Sequence, residues 1–159
     1  GSISRIGSRC LLMAYSHLAH DCILEDGVIL ANAATLAGHV VMEEGSVLGG
    51  LSAVHQFVRI GRYAYVGGMT GVAQDVPPFM LIAGERGWLQ GLNSIGLRRQ
   101  GFEKQQLRNL KQAYKLLWRH GLTREEAADR IRSEIGSPPE VEQLLTFVEN
   151  SERGIVRPK

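Results

Sequence analysis

Four of the five histidines in this 159-residue sequence fall in its first 55 positions: His17, His20, His39 and His55. Imidazole titrates near neutrality, with an unperturbed pKa of about 6.5, so histidine suits proton abstraction from a hydroxyl group. Asp21 follows His20 directly, and a carboxylate beside an imidazole orients it. Neighbours in a strand point to opposite faces, so His20 and Asp21 meet only if the chain turns between them. Three imidazoles gathered on one edge are also a zinc-ligand set, which leaves a metal-dependent hydratase open as a second chemistry. A single histidine on a surface carries no such weight, so the elements that place these four decide the matter.

Those elements follow from a repeat. From Ile6 the chain steps in sixes through Leu12, Leu18, Leu24, Leu30, Leu36, Met42, Leu48, Val54, Ile60, Val66 and Val72, all aliphatic. Four positions after each anchor stands a small or β-branched residue, among them Cys22, Ala34, Ser46 and Thr70. Such a hexad period fits neither an α-helix nor an isolated amphipathic strand. It fits a hexapeptide β-helix, in which three short strands, one per hexad, make one triangular coil. Aliphatic anchors are expected to fill the interior and small residues the corners. Coils stack at ~4.8 Å. A coil of three hexads places His20 in line with Gly38 and Gln56, with His39 and His55 each one position away from that column. His17 lies three positions before His20 on the same coil. The histidines are therefore expected along one edge, over about two coil spacings, or ~10 Å. Pro77 and Pro78 are expected to end the ladder, because proline cannot donate to it.

The period then changes. Residues 79–93, with Gly84, Gly87 and Gly91, read as a loop. A short helix is expected over 94–100. Leu107, Leu110, Tyr114 and Leu117 keep helical spacing, with Gly121 placed to stop that helix. Thr123 and Glu126 form a capping-box pair for the next helix. Ser137, Pro138 and Glu140 announce another, with Val141, Leu144, Leu145 and Val148 on its apolar side. The organisation expected is a β-helix over 1–78 and a loop with a C-terminal helical domain over 79–159. Lys104, Arg108, Lys111, Lys115 and Arg119 recur at helical steps, a basic stripe that is either a docking face for an acidic partner or an ordinary solvated face.

Hydrophobic residues at 44% and charged residues at 21% are the balance of a globular chain and exclude wholesale disorder. No apolar run approaches the ~20 residues of a membrane-spanning helix, so no stable membrane insertion is expected. A net charge of +2 gives no sign of a general nucleic-acid binder. The start lacks a signal-peptide pattern, and two cysteines, Cys10 and Cys22, are too few for a disulfide scaffold. A reducing, cytoplasmic setting is expected.

Several segments carry a more specific signal. Ala14-Tyr-Ser-His-Leu-Ala-His-Asp-Cys22, Leu30-Ala-Asn-Ala-Ala-Thr-Leu-Ala-Gly-His39 and Ala53-Val-His-Gln-Phe57 lie in the repeat. Gly71-Val-Ala-Gln-Asp-Val-Pro-Pro78, Gly96-Leu-Arg-Arg-Gln-Gly-Phe102 and Arg153-Gly-Ile-Val-Arg-Pro158 follow. Together they resemble the UDP-N-acetylglucosamine O-acyltransferases of lipid A synthesis. The resemblance implies a left-handed parallel β-helix followed by helices, assembled as a homotrimer with active sites between subunits. It implies transfer of a 3-hydroxyacyl chain from acyl carrier protein to the 3-hydroxyl of UDP-N-acetylglucosamine, with no metal or organic cofactor. Matched position by position, it makes His20 the general base, Asp21 its support and the Gly38 N–H an oxyanion donor. It makes His17, His39, His55 and Gln56 sugar-nucleotide contacts, and places Asn93 near the uracil. Arg99 falls at a basic position for phosphate or carrier, and Gly68 at a position that limits acyl length. Some relatives take a 3-amine in place of the 3-hydroxyl.

Departures from the family pattern are Ile95, where a Glu is common, Gln100, where a second Arg is common, and Arg86, where some carry His. The family also has further β-helix N-terminal to the region matched here, including a substrate-binding Lys and Asp. A truncated, trimeric module that binds carrier protein or nucleotide sugar without chemistry is therefore an alternative, beside the zinc hydratase.

Overall fold

One short strand forms in each hexad, at Arg5–Ile6 (β1), Leu11–Leu12 (β2), His17–Leu18 (β3), Ile23–Leu24 (β4), Ile29–Leu30 (β5) and Thr35–Leu36 (β6). The series continues at Val41–Met42 (β7), Val47–Leu48 (β8), Ala53–Val54 (β9), Arg59–Ile60 (β10), Tyr65–Val66 (β11) and Gly71–Val72 (β12). In the computed structural model, which describes residues 1–159, these strands stack in parallel on three faces. Face A is β1-β4-β7-β10, face B begins β2-β5-β8-β11, and face C is β3-β6-β9-β12. The register is that of the repeat: Leu12 pairs with Leu30, Leu18 with Leu36 and Leu24 with Met42, each offset by three hexads. The fold is the parallel β-helix of about four coils that the hexads imply.

The anchors from Leu24 to Val72 are buried. Ile6 and Leu12 belong to the same columns but stay exposed, because no coil of this chain lies beneath them. The column four positions after each anchor is also buried from Cys22 onward, including Val28, Ala34, Ser46, Ser52 and Thr70. It lines the interior rather than the corners, since alternate residues on an extended chain share a face. The corners are made by a left-handed residue. Arg9, Tyr15, Asp21, Ala33, His39, Leu51, Phe57, Tyr63 and Met69 all have φ between 52° and 66°, and Gly27 and Gly45 occupy the same positions. Each non-glycine residue there costs about 1–2 kcal/mol. The ladder holds them: His39 N–H donates to His20 O at 3.0 Å, and Phe57 N–H to Gly38 O at 3.1 Å.

Residues 79–93 form strands rather than a loop. Met80–Ala83 (β13) pairs parallel with β11, and Trp88–Leu92 (β14) pairs antiparallel with β13, extending face B. Ile82 and Leu89 are buried, and Gly84 and Gly87 turn the hairpin with φ of 94° and 60°. The hexad period misses β13 because Leu81 pairs with Tyr65, an offset short of the three hexads that separate the other pairs. Pro77 and Pro78 thus end the repeat while face B continues, and face A receives a single bridge from Val76 to Ile60.

Four helices follow: Ser94–Arg99 (α1), Lys104–Trp118 (α2), Arg124–Glu134 (α3) and Pro139–Glu149 (α4). The capping box of Thr123 and Glu126 starts α3 as expected. Leu110, Tyr114, Ile131, Val141, Leu144, Leu145 and Val148 join one apolar cluster with the β-helix interior.

Candidate active site

Residues 20 and 21 form the corner between β3 on face C and β4 on face A. With φ of 58°, Asp21 brings its carboxylate beside the preceding ring, and His20 Nδ1 stands 2.9 Å from Asp21 Oδ2. The turn required between them is present. Asp21 Oδ1 accepts the Ile3 N–H at 3.1 Å. The His20 hydrogen bond, partly opposed by desolvation and helped by the Ile3 N–H and the nearby His39, holds the Asp21 carboxyl below its ordinary value of 3.8. An ionised Asp21 accepts the Nδ1 proton, which leaves His20 Nε2 as the free basic nitrogen.

One coil on, Gly38 sits over His20. A Cβ there would lie 2.7 Å from His20 Cε1 and Nε2, so the ring occupies the space that a side chain at 38 would fill. No protein acceptor takes the Gly38 N–H. His39 stands at the corner position above Asp21, with Nε2 3.8 Å from Asp21 Oδ2 and its ring edge-on to His20 at 5.1 Å. Phe57 continues that column and stacks on His39 at 4.7 Å with 13° between the planes. Phe57 has no role in the sequence reading, although one further coil beyond position 39 points to it.

The remaining candidates divide. His17 lies on face C in β3, paired with Thr35. Gln56 is an exposed corner residue in the His20 column. His55 Nδ1 lies 3.1 Å from the Arg153 guanidinium, and His55 is outside the compact ligand-type group that contains His20 and His39. The compact ligand-type group is therefore His20, Asp21 and His39, within 4.8 Å of one another, rather than three histidines. The His20–Asp21 hydrogen bond occupies two of its atoms.

Asn93 caps α1, accepting the Gly96 N–H at 3.3 Å and donating to Tyr63 O at 3.0 Å. With Arg99 it borders a cavity of about 440 Å³ beside Tyr65, Leu81 and Ile95 on face B. In a three-sided prism face B lies opposite the corner that carries His20, so one protomer does not bring these two sets together. Gly68 is at a corner between faces B and C, where a Cβ would meet Gly50 O at 3.3 Å. Cys22 is buried, which pushes its thiol above the ordinary 9.0, and Sγ donates to Ala37 O at 3.1 Å. It is an inert packing group.

Residues 75–156 match the family described as UDP N-acetylglucosamine O-acyltransferase, domain 2, and residues 3–38 match bacterial transferase hexapeptide repeats. The chain belongs to the UDP-N-acetylglucosamine O-acyltransferase family. It is 49% identical over 157 residues to the acyl-[acyl-carrier-protein]–UDP-N-acetylglucosamine O-acyltransferase of Anaeromyxobacter sp. strain K, covering 99% of this chain and 61% of that protein. The enzyme of that name from Thermodesulfovibrio yellowstonii is 51% identical over 152 residues, covering 96% and 59%. The crystal structure of the Moraxella catarrhalis UDP-N-acetylglucosamine O-acyltransferase superposes with a TM-score of 0.92 at 40% identity, covering 98% of this chain and 60% of that one. The Arabidopsis UDP-N-acetylglucosamine acyltransferase gives 0.90 at 40% identity, covering 96% and 56%. The chain thus spans about three fifths of the length of these family members.

Proposed function

We propose that the chain carries the acyl-transfer site of an acyl-[acyl-carrier-protein]–UDP-N-acetylglucosamine O-acyltransferase, the first step of lipid A synthesis. The observation that carries this reading is the His20–Asp21 pair packed against a side-chain-free Gly38. His20 Nε2 takes the proton of the sugar 3-hydroxyl as that oxygen attacks the thioester carbonyl carbon of the 3-hydroxyacyl carrier protein. Negative charge gathers on the former carbonyl oxygen, for which the Gly38 N–H is the donor. The C–S bond then breaks, and the thiolate takes the proton back from His20. The reaction as written needs neither a metal nor an organic cofactor. An acceptor with a 3-amine would use the same base.

The working form proposed is a homotrimer. In one protomer His20 and His39 are 64% and 43% exposed, which is too wet for the electrostatics the reaction needs. A neighbouring copy that laid its face B near this corner would exclude water and bring Asn93 and Arg99 to the nucleotide. His17, His39, His55 and Gln56 are assigned to the sugar nucleotide. Gly68 is assigned to the limit on acyl length, and the basic side of α2 to the acidic carrier protein. No helix is long and apolar enough to cross a membrane. Both cysteines are free, which fits a cytoplasmic setting.

The test is a product assay by mass spectrometry with UDP-N-acetylglucosamine and a set of 3-hydroxyacyl carrier proteins. The expected result is an acylated nucleotide sugar whose mass reports chain length. His20→Ala should lower kcat by ~10²–10⁴ while the assembly and fold stay intact, with only the small fall in thermal midpoint that loss of the hydrogen bond to Asp21 entails. No product from a folded trimer points to the binding-module alternative, and an unchanged rate in His20→Ala removes His20 as the base.

A further inference from the structure

The segment after α4 returns to the β-helix and is held there tightly. Ile155 forms a parallel bridge with Asp75. Asp75 N–H donates to Gly154 O at 2.8 Å, and Val156 N–H to Asp75 O at 3.0 Å. The Asp75 side chain is buried, and both of its oxygens are used: Oδ1 accepts the Arg59 N–H at 2.8 Å, and Oδ2 accepts the Ser151 hydroxyl at 2.6 Å. Arg153 is thus pinned on both sides. Its Nη2 donates to Ala73 O at 3.2 Å and lies 3.1 Å from His55 Nδ1, a residue 98 positions earlier.

A guanidinium has donors only. The contact with His55 therefore needs a lone pair, not a proton, on Nδ1. The other neighbour of Nδ1 is Gln56 O at 3.4 Å, which accepts only and needs the opposite arrangement. The two contacts exclude each other. The one to Arg153 is shorter, and Arg153 is itself anchored.

We infer that Arg153 is a positioning residue that holds neutral His55 in the tautomer with its proton on Nε2. His55 then presents a hydrogen-bond donor along the groove of about 890 Å³ that it shares with Ala53, Ala73, Arg86 and Arg157. A donor there suits an acceptor oxygen of the ligand (carbonyl, hydroxyl or phosphate) and rejects a ligand N–H at the same point. This deepens, and rests on, the reading in which His55 contacts the sugar nucleotide. The position is invisible in the sequence because nothing local links residues 55 and 153.

The test reads the imidazoles directly. Long-range ¹H–¹⁵N correlation spectra of the ¹⁵N-labelled chain at about pH 8, where ordinary imidazoles are neutral, separate the two tautomers. His55→Gln identifies the His55 signals. The wild type should show one His55 tautomer, with Nδ1 unprotonated. Arg153→Met should add the Nδ1–H form, drawn to Gln56 O, with the other histidines unmoved as evidence that the fold is intact. Arg153→Lys, which keeps a cationic donor, should restore the single tautomer. In the acyl-transfer assay, Arg153→Met should raise KM for the nucleotide sugar about threefold to tenfold, the range for one hydrogen bond, with kcat within about twofold. A wild-type Nδ1–H form, or a tautomer indifferent to Arg153→Met, overturns the inference. The expected tautomers in a chain that makes no product would overturn the acyltransferase reading alone.

Discussion

Asp21 is held below its ordinary value of 3.8 chiefly by the hydrogen bond from His20, and that sets how the corner responds to pH. A carboxyl lowered in the folded state stabilises the fold fully above its unfolded value. The contribution is lost as pH falls through the lower, folded value. Asp21→Asn keeps the acceptor for the Ile3 N–H but removes the charge. The thermal midpoint of the wild type should exceed that of Asp21→Asn by a constant margin above about pH 5, and the two should converge as pH falls below about 4. Thermal scans of both proteins across that range check it. A margin that persists at low pH would show that the charge plays no part.

At the scale of the element, the corner works because the coils stack in register, three hexads to a turn. Gly38 is the coil-on-coil partner of His20, and its missing side chain is the space the imidazole uses. The left-handed corner positions do the complementary task, stacking Asp21, His39 and Phe57 in one column. Gly38 itself is not among the residues with positive φ, so alanine fits its backbone. Gly38→Ala should therefore leave the fold intact, with a gain of up to about 1 kcal/mol from the unfolded chain's lost freedom set against loss of the His20–Asp21 hydrogen bond as the ring moves. The Cβ should push the exposed His20 ring off its position and lower kcat about a hundredfold or more, within the range for loss of a general base. Calorimetry alongside the product assay separates the two effects. Full activity in Gly38→Ala would show that the ring does not depend on that space.

The whole molecule sets a further condition, since His20 and the Asn93–Arg99 cavity lie on opposite sides of one prism. If the site forms between copies, defects in different copies complement each other. Co-expressed His20→Ala and Arg99→Ala chains should each be weak alone. Randomly mixed trimers should recover about a quarter of wild-type activity, the fraction of interfaces that pair an intact His20 with an intact Arg99. Activity no greater than the sum of the two parents would place both residues in one protomer's site, against the geometry.

The hexads alone determined the β-helix, its three-hexad coil and the stacking of His20, Gly38 and Gln56, because a repeat converts sequence distance into space. Local spacing was likewise enough for α2, α3 and α4 and for the Thr123–Glu126 cap. The turn that joins His20 to Asp21 could be required by the sequence but shown only by the corner backbone. The hairpin of β13 and β14 escaped the pattern because the pairing of Leu81 with Tyr65 falls short of a full coil, which breaks the period. The contact of His55 with Arg153 and the docking of the last segment on Asp75 are tertiary decisions. They join positions far apart in the chain, Asp75 with Ser151 and His55 with Arg153, and no periodicity of neighbouring residues encodes contacts at that range.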